Sequence, residues 1–373
     1  MLKIPTLDFF DPIATKAVLL ENLREKTIEA STPPTAFSQL HSLFRITESL
    51  ASARIEGNRT TIADYIQDKI EGNQNSQPHK EISNIEECIQ LINKEFEKNP
   101  NFQISEFFIK QIHTVLTNGL TTEGSKQPGV YRSHNVSITG SQHKPPEFLY
   151  IPELMSELIT FINKKEPPQA DLIKVAIAHH HFVWIHPFDN GNGRMARLLT
   201  YIMLRQYGFI KVYFLNPAAV FCQNREGYIN GLEKADTGED KNIKEWVLFV
   251  LEGLLRESQK IQKLLNKEFL DTKIIYPAIQ YSFNNNLITL EEKIILECSI
   301  NQLDYIIMLK DLKLLFKEKN DAQLTYIIKR MLEKHLLRRN NNHTRKYTIN
   351  LNAYALTRGM LNALINENLV EFE

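Results

Sequence analysis

The chain has 373 residues, with Lys+Arg and Asp+Glu at 44 each and a formal net charge of zero at pH 7. That length suits about two or three domains of ~100–200 residues with at least one sizeable core. The charge balance excludes a protein drawn as a whole to nucleic acid or anionic lipid, so any such binding must be local.

The N-terminal stretch MLKIPTLDFFDPIATK interrupts its apolar residues with Pro and Asp, and no uncharged apolar run elsewhere approaches ~18 residues. A cytoplasmic protein with no membrane partner is therefore expected. Cys88, Cys222 and Cys298 are scattered without metal-ligand or disulfide spacing and read as reduced core thiols.

Apolar residues recur every three or four positions along most of the chain, which makes the fold mainly α. From Phe37 to Ile55, Leu40, Leu43, Phe44 and Leu50 fall near one face of a helix that Gly57-Asn58 stops. EGNQNSQPHK is a polar connector, with helical patterning resuming from Ile82 to Phe96. GVYRSHNVSITGSQHKPPEF, Gly129 to Phe148, mixes β-branched and aromatic residues with Gly and Pro and predicts a β-hairpin. Two apolar helices, DLIKVAIAHHHFVWI and RMARLLTYIMLRQYGF, then flank the loop HPFDNGNG.

Beyond Lys273, Thr289 and Glu292 form a capping box, LKDLKLLFKE a second short helix, and Asp321–Leu337 a third with Leu324, Ile327, Ile328 and Met331 on one face. LLRRNNNHTRKYTINL follows as a hairpin, so three helices and a hairpin suggest a winged helix-turn-helix. The expected divisions are an N-terminal helical region over 1–98, a central core over 99–260, a winged helix over 270–352 and a helical tail over 353–373.

The loop carries the chemistry. Gly191 and Gly193 allow successive backbone N–H groups to line one concavity at a helix N-terminus, which suits phosphate. Arg194 and Arg197, three apart, can grip the same polyphosphate with forked hydrogen bonds. His186, at the mouth, can take a proton from an attacking hydroxyl. An ordinary turn with solvated arginines would explain each feature singly but not their combination. No Gly-x-x-x-x-Gly-Lys-Ser/Thr occurs, which disfavours a P-loop NTPase. His179, His180 and His181 cannot converge on one metal, because adjacent helical positions point about 100° apart.

HPFDNGNGRMAR closely resembles the Fic-domain signature His-x-Phe-x-Asp/Glu-Gly-Asn-Gly-Arg-x-x-Arg. The resemblance implies a Fic-type helical core with a β-hairpin flap and transfer of AMP from ATP, with Mg²⁺, to a Ser, Thr or Tyr hydroxyl of a target protein. It implies His186 as general base, Phe188 as loop anchor, and Gly191, Asn192 and Gly193 as the phosphate nest. Arg194 and Arg197 would bind phosphate, Arg197 the γ-phosphate, with His179 and Phe182 packed behind the loop. Val136 and Ile138 resemble the flap that holds the target segment by strand pairing, and Tyr228, in REGYINGLEKADTGED, the aromatic beside adenine.

The family's metal-binding acid falls on Asn190, with Asp189 in the variable position before it. An amide oxygen brings no charge to a hard cation, so weaker metal binding is expected. Ser52 with Glu56-Gly57 matches the family's inhibitory Ser/Thr-x-x-x-Glu-Gly/Asn, which implies Glu56 paired with Arg197 in an autoinhibited state. Members of the family often form homodimers. Some relatives use another phosphate-containing donor.

A second function class stays open at this level: a DNA-linked regulator whose core senses nucleotide. Lys329, Arg330, Lys334, Arg338, Arg339, Arg345 and Lys346 line the expected third helix and wing, diluted by Glu318, Asp321 and Glu333. A solvated face on a protein-binding winged helix explains the same residues.

Overall fold

The computed structural model describes residues 2–8, 10–25, 31–71, 76–138, 141–209, 217–340 and 345–370. In chain order the helices are α1 (Pro12–Glu25), α2 (Pro34–Ile55), α3 (Ile62–Glu71), α4 (Gln77–Lys98), α5 (Glu106–Thr117), α6 (Ile151–Asn163), α7 (Asp171–Ile185) and α8 (Asn192–Gln206). They continue with α9 (Pro217–Gln223), α10 (Arg225–Ala235), α11 (Asp240–Leu265), α12 (Lys267–Phe269) and α13 (Tyr276–Asn284), the last two joined by a π-helical turn. The C-terminal part holds α14 (Leu290–Ile300), β1 (Ile306–Met308), α15 (Leu309–Leu315), α16 (Asp321–Glu333), β2 (Leu337–Arg339), β3 (Lys346–Ile349) and α17 (Tyr354–Asn366). The mainly α reading holds. No helix among the described residues is long and apolar enough to cross a membrane.

The chain forms two compact units, one of residues 1–27, 45–60 and 73–259 and one of 28–44, 61–72 and 260–373. In the first, α7 and α8 pack together, α4 and α5 lie against α8, and α6 lies against α7. Because α7 is covered on nearly all sides, its sequence is apolar around the whole circumference rather than along a stripe. Trp246 on α11 donates its indole N–H to Ala176 O at 2.7 Å, fixing α11 to α7.

The second unit carries an antiparallel sheet of order β1-β3-β2, with Ile306 opposite Thr348 and Leu337 opposite Ile349. Thr289 and Glu292 make the capping box of α14, and α16 buries Leu324, Ile327, Ile328 and Met331. Strand β1, between the first two helices of this module, was not expected. The chain enters it through Asp304 and Tyr305, both left-handed at φ 55° and 56° without being glycine, a conformation no turn signature announces. A Cβ on Gly359 would stand 2.6 Å from Ala278 O, so α17 meets α13 backbone to backbone. The tip of the C-terminal hairpin, residues 341–344, lies outside the described residues.

Cys88 is fully buried, while Cys222 and Cys298 are only half-buried; all three are free. The expectation of core thiols thus holds for Cys88 alone. At the expected flap, residues 131–138 form no strand ladder among the described residues, with bends at Ser133 and His134. The Arg132 guanidinium donates to the carbonyls of His134 at 2.8 Å and Pro146 at 2.6 Å and so ties the two arms together. Thr139 and Gly140, at the expected turn, lie outside the described residues.

Candidate active site

The loop between α7 and α8 starts where Pro187 forbids another helical turn to the residue before it. His186 caps α7 in the left-handed region, φ 51°, its N–H donating to Phe182 O at 3.1 Å. Its Nδ1 lies 3.3 Å from Val183 O; a carbonyl only accepts, so Nδ1 carries the proton and Nε2 keeps its lone pair. Burial pushes the imidazole pKa down to about 4, helped by Arg132 and His143, so His186 is neutral at pH 7.

Phe188 is completely buried and stacks on His113 with ring centroids 3.7 Å apart. His113 accepts from Gly129 N–H at 2.9 Å through Nδ1 and lies 3.0 Å from Asn190 O through Nε2. Asn192 closes the loop in both directions, accepting from Phe188 N–H at 2.9 Å and donating to Phe188 O at 2.8 Å. Its side chain is therefore structural, and it can serve an anion only through its backbone amide.

Gly191, at φ 77°, is the N-cap of α8 and has no side chain to offer. The first intrahelical bond of α8 runs from Met195 N–H to Gly191 O. The amides of Asn192, Gly193 and Arg194 are thus the uncapped donors of a helix start, where an anion is stabilised.

Arg197 is 1% exposed and reaches back to α2. Its Nε donates to Ser52 Oγ at 2.9 Å, and its Nη2 to Ser52 O at 3.0 Å and Glu56 Oε1 at 2.6 Å. Glu56 is positioned by the helix end: Gly57 is left-handed at φ 102°, Gly57 N–H donates to Arg54 O at 3.0 Å, and Asn58 N–H to Ala53 O at 3.2 Å. This is a Schellman closure with Glu56 as the C-cap of α2. Burial opposes the charge on Glu56, but Arg197 outweighs it and holds the carboxyl below its ordinary pKa. A Cβ on Gly193 would collide with Glu56 Oε1, so the carboxylate lies against the first turn of α8.

Arg194 is also 1% exposed, and its guanidinium faces Glu81 Oε1 at 3.1 Å and Glu123 Oε2 at 3.0 Å, with Glu123 O at 2.7 Å. Glu81 in turn accepts from Asn58 Nδ2 at 2.8 Å. Arg194 and Arg197 are therefore both held by carboxylates.

A Fic/DOC family match spans residues 103–204, which covers α5, the extended arm, α7, the loop and nearly all of α8. Residues 103–204 are a Fic/DOC domain. The chain is 31% identical over 153 residues to a probable protein adenylyltransferase of Aquifex aeolicus, covering 41% of this chain and 43% of that one. It is 30% identical over 175 residues to the protein adenylyltransferase Fic of Nematostella vectensis, covering 46% and 37%. It thus spans less than half the length of these curated relatives. A Fic family protein from Desulfovibrio desulfuricans G20 matches in structure with TM-score 0.57 at 20% identity, covering 93% of this chain and 98% of that one. Fic-1 of Caenorhabditis elegans matches with TM-score 0.52 at 20% identity, covering 67% and 71%. At such identities the likeness shows the fold.

Within the Fic domain, sequence reasoning missed Arg132. It is 3% exposed, and besides bracing the arms it donates through Nε to His186 O at 2.8 Å and through Nη2 to Ile185 O at 3.4 Å. It therefore caps the carbonyl end of α7 beside the loop. Val136 and Ile138 on this arm are half-buried, alternating with exposed Asn135 and Ser137. Glu81 and Glu123 were missed as well.

Asn190 does not offer a free metal ligand. Its Oδ1 accepts from Gly191 N–H at 2.7 Å and its Nδ2 donates to Thr122 O at 3.1 Å. The nearest acid in the loop, Asp189, faces His134 at 3.8 Å. A neutral, already engaged amide oxygen is a poor ligand for Mg²⁺, and the residues present do not fit that ion.

Tyr228 is 4% exposed and packed against Phe221 and Trp246 with centroids at 4.8 and 6.0 Å.

In the second unit, Arg330 Nε and Lys334 Nζ lie 3.3 and 3.0 Å from Glu292 Oε1, a carboxylate with no exposure. Lys329 pairs with Glu333 at 3.9 Å. Arg338, Arg339 and Arg345 are exposed.

Proposed function

We propose that the protein is a protein adenylyltransferase, held inactive by Glu56, that transfers AMP from ATP to a hydroxyl side chain of a target protein. The observation that carries this reading is Glu56 Oε1 at 2.6 Å from Arg197 Nη2, with the carboxylate against Gly193 in the first turn of α8. An arginine already engaged by a carboxylate cannot also take the γ-phosphate, and the carboxylate repels the triphosphate. ATP then lacks a productive pose.

With Glu56 withdrawn, the amides take the α- and β-phosphates and Arg197 the γ-phosphate. His186 Nε2 accepts the proton of the target hydroxyl as its oxygen attacks the α-phosphorus. The bond from that phosphorus to the bridging oxygen breaks, and pyrophosphate leaves with the electron pair. At a pKa of about 4 the free imidazole is a weak base; the charge of a bound triphosphate raises its basicity toward the useful range. The relatives named as protein adenylyltransferases support the same donor and a protein acceptor. Val136 and Ile138, on the extended arm beside the loop, are assigned to holding the target segment by backbone pairing.

The donor set around Asn190, a neutral amide already engaged by Gly191 N–H and Thr122 O, does not suit Mg²⁺. The alternative, a DNA-linked nucleotide sensor, is favoured by that same poor metal site. It draws on the helix, strand, helix, helix, hairpin order of the second unit, which we assign as a winged helix. Lys329, Arg330 and Lys334 are engaged by Glu333 and Glu292, which leaves Arg338, Arg339, Arg345 and Lys346 for phosphates and makes adenylylation the stronger reading.

The test is intact-mass spectrometry after incubation with ATP and Mg²⁺ and an unfractionated cytosolic extract as target source. Glu56→Gly is expected to yield AMP-modified protein, either itself or a target, and Glu56→Gly/His186→Ala to yield none. Equal modification in both variants would dismiss the reading.

A further inference from the structure

His113 on α5 is fully buried, with both ring nitrogens and one ring face engaged. Its Nδ1 lies 2.9 Å from Gly129 N, its Nε2 3.0 Å from Asn190 O, and its ring stacks on Phe188 at 3.7 Å, within 5° of parallel. The two nitrogen partners decide the tautomer. A backbone N–H only donates, so Nδ1 presents its lone pair to Gly129; a backbone carbonyl only accepts, so Nε2 carries the proton. The ring is therefore neutral and has one orientation. Burial agrees, pushing its pKa down to about 4.

The two partners come from the two halves of the site. Gly129 opens the arm that carries Val136 and Ile138 and is left-handed at φ 76°. A Cβ there would stand 2.4 Å from Thr114 Oγ1 and 2.9 Å from Lys110 O, so the arm starts hard against α5. Asn190 stands just before Gly191, the N-cap of α8. The Asn190 carbonyl and the Gly191 N–H belong to one planar peptide and point opposite ways, so a donor on the carbonyl fixes that plane. The Gly191 N–H goes to Asn190 Oδ1 at 2.7 Å, and the uncapped amides of Asn192, Gly193 and Arg194 follow from there. At the other end of the loop, Arg132 of the same arm donates from its backbone N–H to Pro187 O at 2.9 Å and from Nε to His186 O at 2.8 Å. The arm is thus tied to the histidine end of the loop by Arg132 and to its phosphate end through His113.

We propose that His113 is a positioning residue that sets the phosphate end of the loop against the arm, one nitrogen holding each, so that nucleotide and target hydroxyl meet in register. Being fully buried, it meets neither reactant itself. The two reactants are bound by segments far apart in sequence, and a misplacement of about 1 Å between them can cost ~100-fold in rate. The imidazole cannot turn without giving up Gly129, Asn190 and the stack on Phe188 together. This rests on the proposed adenylyl transfer, with the arm as the segment that holds the target.

The test uses two substitutions in the Glu56→Gly full-length chain, each keeping one tie. His113→Asn puts an amide oxygen near the former Nδ1, where it accepts from Gly129, and leaves Asn190 O without a donor. His113→Gln puts an amide N–H near the former Nε2, where it donates to Asn190 O, and leaves Gly129 without an acceptor. Both lose the stack on Phe188, so the difference between them reads the hydrogen bonds and not the packing. By isothermal titration calorimetry, His113→Asn is expected to bind ATP roughly tenfold more weakly than His113→Gln, about one hydrogen bond. At saturating ATP, His113→Gln is expected to transfer α-phosphate label to proteins of an unfractionated cytosolic extract at least about tenfold more slowly than the chain with His113, although its ATP affinity stays within about twofold. Equal ATP affinity in the two variants, or full transfer rate in His113→Gln, would overturn the proposal and leave His113 as a packing residue. If neither variant folds, nitrogen NMR of the unsubstituted chain labelled with ¹⁵N-histidine decides: the imidazole in contact with Phe188 should be protonated on Nε2 alone near neutral pH, and protonation on Nδ1 would overturn the proposal. Absence of any transfer from Glu56→Gly with His113 intact is the failure of the adenylyl-transfer reading, and the ATP comparison between the two variants still decides on His113.

Discussion

Glu56 Oε1 sits 2.6 Å from Arg197 Nη2, with Arg197 1% exposed and Glu56 at the closing residue of a helix. A charge pair made by a helix end and a buried arginine can be broken by moving one turn of chain, without unfolding the domain that holds the arginine. Glu56→Gly should therefore increase ATP affinity by tenfold or more, on the order of 1.4 kcal/mol or above, while leaving the fold intact by circular dichroism. Unchanged affinity would mean that the pair does not compete with nucleotide.

The pH dependence follows from the two shifts. Glu56 has its pKa held below the ordinary value by Arg197, so the pair's stabilisation is present above the ordinary carboxylate range and is lost as pH falls through the lowered folded value. The difference in thermal stability between wild type and Glu56→Gln should thus be constant from pH 8 to about 5 and shrink only in more acidic solution. A difference that fades near neutrality would contradict the direction of the shift.

For the base, the His186 pKa of about 4 places its protonation well below neutrality in the free protein. In Glu56→Gly the kcat/KM profile should show no loss attributable to an ordinary histidine near pH 6.5 and should fall as pH approaches about 4. An acid limb centred at 6 to 7 would show that His186 is solvated, not buried.

How much of this was legible depended on distance along the chain. The capping box of Thr289 and Glu292, the buried face of α16 and the glycine-rich loop are local patterns, and periodicity with turn chemistry sufficed for them. Strand β1 is stabilised by β3, with Ile306 facing Thr348, and nothing within its own three residues requires it. Glu81 lies far in sequence from Arg194, and a glutamate on a helix carries no mark of a buried partner. Tyr228 was visible as an aromatic near the site, but its burial under Phe221 and Trp246 is a tertiary fact.

Arg132 supports the loop through carbonyls of His134, Pro146, Ile185 and His186. Arg132→Ala leaves several buried acceptors without donors and should cost about 2–4 kcal/mol of stability, with activity lost in the Glu56→Gly background. Arg132→Lys, whose ammonium lacks the planar fork, should recover only part of this. Chemical denaturation reads the first effect; wild-type stability in Arg132→Ala would show the carbonyls to be satisfied by water.

Asn190→Asp restores a charge at the position where the amide is now engaged with Gly191 N–H and Thr122 O. In the Glu56→Gly background it should lower the Mg²⁺ concentration giving half-maximal labelling by several-fold. No shift, or an increase, would locate metal binding away from residue 190.

The central claim is nucleotidyl transfer gated by Glu56, and the position of the radiolabel tests it most directly. Glu56→Gly incubated with ATP labelled at the α-phosphate should label protein, and the same variant with ATP labelled at the γ-phosphate should not, with wild type labelling weakly in both. Label from the γ-phosphate, or equal α-label in wild type and variant, would contradict the account.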